Sequence, residues 1–190
     1  MKKVISLLVT LCITASVVLT TFAEVALPEN WLDAPNNPAT DYAYSFALVG
    51  DTQTIVLNDI KKGTNKLSYI YDWLVANAED KKIANVFGLG DITDTYDDDG
   101  DEWDHAKAQI DKLNGVVSYT LVRGNHDNLN HFKTYFGGES SYLAQMNGTM
   151  TEGAPANAYK TLTVGKVKYL ILTLDYSPSD AVVKWASEVI

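Results

Sequence analysis

Three strand-like stretches each end in Gly followed at once by Asp or Asn, and amphipathic helical patterns separate them. Tyr44 to Gly50 leads into Asp51-Thr52-Gln53. Ile83 to Leu89 leads into Gly90-Asp91-Ile92-Thr93-Asp94. Val116 to Val122 leads, through Arg123, into Gly124-Asn125-His126-Asp127. Between them, Leu67, Ile70, Tyr71, Leu74, Val75 and Ala78 recur at helical spacing, as do Trp103, Ala106, Ile110 and Leu113. A β-α-β-α-β order predicts a parallel sheet with helices on its faces. Polar residues at the carboxyl ends of parallel strands then share one edge, where such sheets bind ligands.

Each polar cluster also has a plainer reading, because Gly-Asn and Asp-Asn pairs are turn chemistry. Together, two carboxylates, amides and an imidazole at one edge would repel and lose hydration unless compensated. A divalent cation supplies that compensation, and oxygen with imidazole donors suits Mn, Fe or Zn. A carboxylate bridging two ions would let both attacking and leaving oxygens of a phosphoryl transfer be held.

The motifs GDTQ, GLGDITD and VRGNHD, in this order and at these spacings, resemble the front half of the calcineurin-like metallophosphoesterases. The resemblance runs from about Tyr44 to the end of the chain. It implies an α/β fold, a metallophosphoesterase-like β-α-β-α-β sandwich with helices on its faces. It also implies two divalent metal ions and a small phosphoester substrate, a monoester or a diester. Asp51 would bind the first metal and Asp91 would bridge both. Asn125 would bind the second metal through its amide oxygen. His126 would be the catalytic imidazole, with Asp127 orienting it, and a hydroxide on the metal would attack.

Two departures from the family pattern stand out. Gln53 occupies the position where the family usually has His, and offers a neutral amide oxygen to the first metal. The family's later ligand histidines, one alone and a Gly-His-x-His pair, have no counterpart here, since the chain has only His105, His126 and His131. The expectation is a domain truncated at its C-terminus. The alternative to an enzyme is a non-catalytic module that keeps the front half of the fold.

Residues 1–23 read as a secretory signal peptide: Lys2 and Lys3, an apolar run from Val4 to Leu19, and Thr21-Phe22-Ala23 before a cleavage point. The expected location is secreted or extracytoplasmic, with no stable membrane span after cleavage; an uncleaved anchor is the alternative. Cys12, the single cysteine, lies within that run, so the mature chain would carry no disulfide. Residues 24–43, with Pro28, Pro35 and Pro38, are expected to form an extended lead-in, and residues 44–190 the N-terminal part of the domain. The net charge of −9, without a basic tract, makes duplex nucleic acid a poor partner.

Several other features are expected to be structural. The acidic stretch 97–104 fails the calcium-loop frame and reads as a solvated loop entering a helix. Asp94 reads as a turn or supporting residue. His105 is expected to face solvent, and His131 to be an exposed helical histidine rather than one facing substrate. Trp103 is expected in the core. Leu129 to Tyr135 should form a short helix and 137–157 a long loop. Gly165-Lys166 suits a type II′ hairpin between Tyr159–Val164 and Val167–Leu174. Ser177 should cap a final helix with Pro178 and Asp180 in its first turn. Asn147-Gly148-Thr149 is a glycosylation sequon in a eukaryotic secretory pathway.

Overall fold

The computed structural model describes residues 42–96 and 100–190. Residues 1–41, where the signal peptide and most of the lead-in are expected, and Asp97 to Asp99 lie outside the described residues.

β1 (Ser45–Val49), β2 (Ile83–Gly88) and β3 (Tyr119–Leu121) form one sheet in the order β1-β2-β3. Both pairings are parallel, with Phe46 opposite Asn85 and Val86 opposite Tyr119. β3 is shorter than the sequence suggests. The amides of Val116 and Val117 both bond the Leu113 carbonyl, so this apolar run begins as a turn. At the other end the register holds past the strands: Leu89 N donates to Val49 O at 2.9 Å and Val122 N to Gly88 O at 3.1 Å. The three carboxyl ends therefore lie side by side.

α2 (Lys66–Asn77) and α3 (Asp101–Ile110) appear where periodicity places them. α2 buries Leu67, Tyr71 and Leu74, spaced four and three apart, and α3 buries Trp103, Ala106 and Ile110. These side chains join Val86, Tyr119, Phe132 and Phe136 in one core against the sheet. Each large apolar side chain buried there contributes about 1.5–3 kcal/mol. α4 (Leu129–Phe136) is capped by Asn128, whose side chain accepts from Asn130 N and His131 N.

One helix was not legible in the sequence. α1 (Gln53–Lys62) begins directly at the first motif and buries Val56 completely. Its short run mixes β-branched Ile55 and Val56 with polar residues, and gives little helical periodicity.

β5 (Ala158–Val164) and β6 (Val167–Thr173) make the expected hairpin. Gly165 has φ 60° while Lys166 stays at negative φ, as a type II′ turn requires. The stretch 137–157 is not one long loop. It contains β4 (Gly148–Thr149), paired antiparallel to β5, and a 3₁₀ turn at Leu143–Gln145. This second sheet, in the order β4-β5-β6, faces the first. Tyr169 of β6 meets Phe46 of β1 edge to face at 5.4 Å, and Lys160 of β5 donates to the Tyr119 carbonyl of β3. α5 (Asp180–Val189) starts two residues later than expected. Ser179 is its N-cap, and Ser177 instead takes a positive φ of 52° before Pro178. Among the described residues no helix is long and apolar enough to cross a membrane.

Candidate metal centre and active site

The second motif shapes the site. Gly90 and Asp91 both have positive φ, 90° and 48°. A non-glycine residue there is strained and persists only when its surroundings hold it. Three donors do so. Thr52 N and Gln53 N, at the start of α1, donate to the Asp91 carbonyl at 3.0 and 2.9 Å. His126 N donates to Asp91 Oδ1 at 3.0 Å. Thr52 Oγ1 adds a bond to the Ile92 carbonyl at 3.1 Å. The loops after all three parallel strands are thus laced around one aspartate.

Gly124 explains why the third motif begins with glycine. A Cβ there would sit 2.1 Å from Asp91 Oδ1 and 2.3 Å from Asp91 N. A Cβ on Gly90 would lie 2.8 Å from Gly124 N. The two glycines let the second and third loops touch through backbone alone.

Asp127 is wholly buried. Its Oδ1 accepts from Ile92 N at 2.8 Å and Thr93 N at 3.0 Å, and its Oδ2 from Gly124 N at 2.8 Å. Burial pushes its carboxyl up, and those amide bonds only partly counter the rise. Asp127 ties the second loop to the third, and its oxygens are taken up by backbone rather than by the His126 ring.

The ring of His126 is instead held by Asp94. Nδ1 donates to the Asp94 carbonyl at 3.0 Å, with Asp94 Oδ1 at 3.7 Å. That bond raises the imidazole's pKa, burial opposes it, and the carboxylates of Asp91, Asp94 and Asp51 raise it further. Asp51 and Asp91, the two aspartates expected to bind metal, therefore act electrostatically on the ring. Asp51 and Asn125 are exposed on their loops, while Gln53 is half-buried.

Gln53 Oε1 is buried and has no hydrogen-bond partner. It belongs to the residue whose own N–H binds the Asp91 carbonyl. A buried amide oxygen without a donor is costly, and a cation offsets that cost. Among the described residues no three His, Cys, Asp or Glu side chains gather closely enough to hold a metal. The candidate donors are therefore two carboxylates, Asp51 and Asp91, and two amides, Gln53 and Asn125. Oxygen donors of this kind fit a hard divalent ion.

Both other histidines depart from expectation. His105 is not solvent-facing: its Nε2 lies 3.1 Å from the buried Asp59 carboxylate. His131 stacks with Trp103 and Tyr135, at ring angles of 23° and 10°. Trp103 is in the core as expected. Arg123, not singled out from the sequence, donates to Asp127 O at 2.8 Å and to Asp175 Oδ1 at 2.5 Å, anchoring the third loop.

An α/β domain with its polar loops gathered at the carboxyl ends of three parallel strands is the class that fold and site define. The sequence model of the calcineurin-like phosphoesterases matches residues 44–184, and the chain belongs to that family. Comparison with curated proteins gives no match.

Proposed function

We propose that the chain hydrolyses phosphate monoesters or diesters with the help of two divalent ions held at the three strand ends. The observation that carries this reading is the buried, unpartnered Oε1 of Gln53, a residue whose backbone N–H binds the Asp91 carbonyl. Asp51, Gln53 and Asp91 would hold one ion, and Asp91 with Asn125 the other. When bound, the ions supply Lewis acidity and neutralise charge on the phosphoryl oxygens. His126 protonates the leaving oxygen. Its surroundings of Asp51, Asp91 and Asp94 favour the protonated ring, which is the form an acid needs. Asp127 and Arg123 keep the loop that carries Asn125 and His126 in place. An all-oxygen donor set favours manganese over zinc. Two protein donors hold the second ion weakly, so turnover by this chain is slow.

Manganese titration by calorimetry, with p-nitrophenyl phosphate hydrolysis in parallel, tests the reading. Asp91→Asn should weaken binding at least tenfold, since this carboxylate serves both ions, and should abolish any metal-dependent turnover. Unchanged manganese affinity in Asp91→Asn would sink the proposal.

Export is part of the same reading. Lys2, Lys3, the apolar run and Thr21-Phe22-Ala23 support cleavage before Glu24. Mass spectrometry of the protein recovered from its host should find Glu24 at the N-terminus; an intact Met1 would count against it.

A further inference from the structure

We infer that Glu102, on the first turn of α3, is a positioning residue that sets the hydrogen-bonding state of the His126 imidazole. Asp101 and Asp104 beside it are exposed, but Glu102 is only 5% exposed. Its Oε2 accepts from Asp94 N at 2.7 Å and from Thr95 N at 3.2 Å. A carboxylate accepting two backbone amides fixes the peptide that carries them.

That peptide is the one His126 depends on. The Asp94 carbonyl receives His126 Nδ1 at 3.0 Å. A carbonyl can only accept, so Nδ1 carries the hydrogen, and Nε2 is left as the nitrogen that exchanges a proton with substrate. The Asp94 carboxylate, 3.7 Å from the same Nδ1, is placed by the same backbone. Glu102 itself stands on a rigid base, because its neighbour Trp103 is wholly buried in the core. The path runs from the α3 carboxylate to the Asp94 backbone and then to the ring. A turn that merely needed its amides satisfied would leave the tautomer of a histidine on another loop unaffected.

The inference deepens the proposed function by naming what orients its acid, yet it can be tested without turnover. The probe is the 15N-labelled protein, with long-range 1H–15N imidazole spectra recorded at a pH where the rings are neutral. His126 is assigned by its disappearance in His126→Ala. The wild type should show His126 as the Nδ1–H tautomer. Glu102→Gln, whose amide oxygen can still accept both N–H groups, should keep it. Glu102→Ala should shift it toward a mixture of tautomers. His105, on the same helix and held at Asp59 through Nε2, should not change. An unaltered His126 in Glu102→Ala would overturn the inference. So would a parallel change at His105, because the helix itself would then have moved. Should Glu102→Ala fail to fold, Glu102→Asp, one methylene too short, carries the same expectation and the same refutation. With p-nitrophenyl phosphate, Glu102→Ala should lower kcat roughly tenfold to a hundredfold at constant KM, with Glu102→Gln close to wild type. The predicted tautomer pattern in a protein without metal-dependent turnover would support the role of Glu102 and refute the phosphoesterase reading.

Discussion

At the scale of single residues, the site depends as much on what is missing from Gly124 as on what its neighbours carry. A methyl group there would overlap Asp91 at both its backbone N and its Oδ1. Neither atom can easily give way, since Thr52 N and Gln53 N hold the Asp91 backbone through its carbonyl and His126 N holds Oδ1. Gly124→Ala is expected to cost about 1–3 kcal/mol through overpacking. It should also weaken manganese binding by more than its effect on folding explains. Chemical denaturation and calorimetry on the same preparation check this; full manganese affinity in a destabilised variant would contradict it. The glycines and acids of the motifs were legible because each follows a strand-like run. The partners of Asp127 and His126 were not. The resemblance pairs the imidazole with Asp127, whereas the loop path turns Asp127 inward and brings Asp94 to the ring. Glu102 was hidden for a related reason: it sits among acids that do face water, and only the core position of Trp103 beside it hints at an inward turn.

At the scale of elements, the first three helices are joined by one carboxylate. Asp59 of α1 accepts from Lys66 N at 2.8 Å and Leu67 N at 2.9 Å, which are free donors at the start of α2. It also accepts from Thr64 Oγ1 and pairs with His105 of α3. Burial alone would push this carboxyl up, but hydrogen bonds from Leu67, Thr64, Lys66 and His105 outweigh it and hold the group at about 2, against an ordinary 3.8. As pH falls from about 4 toward 2, the unfolded chain takes up this proton and the folded chain does not. The stability Asp59 supplies is therefore present above pH 4 and is lost as pH falls through about 2. Asp59→Asn should cost about 1–3 kcal/mol at neutral pH through mispaired amides. It should also flatten the acid limb of a stability–pH curve between pH 4 and 2. An equally steep limb in the variant would show that other carboxylates carry it. Sequence periodicity located α2 and α3 because each shows an apolar stripe. α1 was missed because its place is set by Asp59 and by the two amides it gives to Asp91, which are tertiary contacts that leave no periodic trace.

At the scale of the whole domain, residues 42–190 rest on two sheets, and a buried lysine spans them. Lys160 of β5 is 4% exposed, and its Nζ donates to Ser118 Oγ at 2.5 Å and to the Tyr119 carbonyl at 3.2 Å. Both acceptors are neutral, so among the described residues the ammonium has hydrogen bonds without a paired carboxylate. Burial lowers its pKa from 10.5 to about 8. Between those values the unfolded chain keeps a proton that the folded chain has released, so stability rises with pH across that window. Three tyrosines set the upper bound. Burial raises the hydroxyls of Tyr71, Tyr119 and Tyr142, so above pH 10 they ionise in the unfolded chain first and stability falls again. Lys160→Met removes the titrating group and keeps the apolar stem, while leaving the Tyr119 carbonyl without its donor from β5. Urea denaturation from pH 7 to 9.5 should show wild-type stability climbing and the variant's staying level, the gap between them changing by about 1–2 kcal/mol over that range. Parallel curves for the two proteins would mean that Lys160 titrates as it would in water, and that the ammonium between the sheets is far better solvated than its burial indicates.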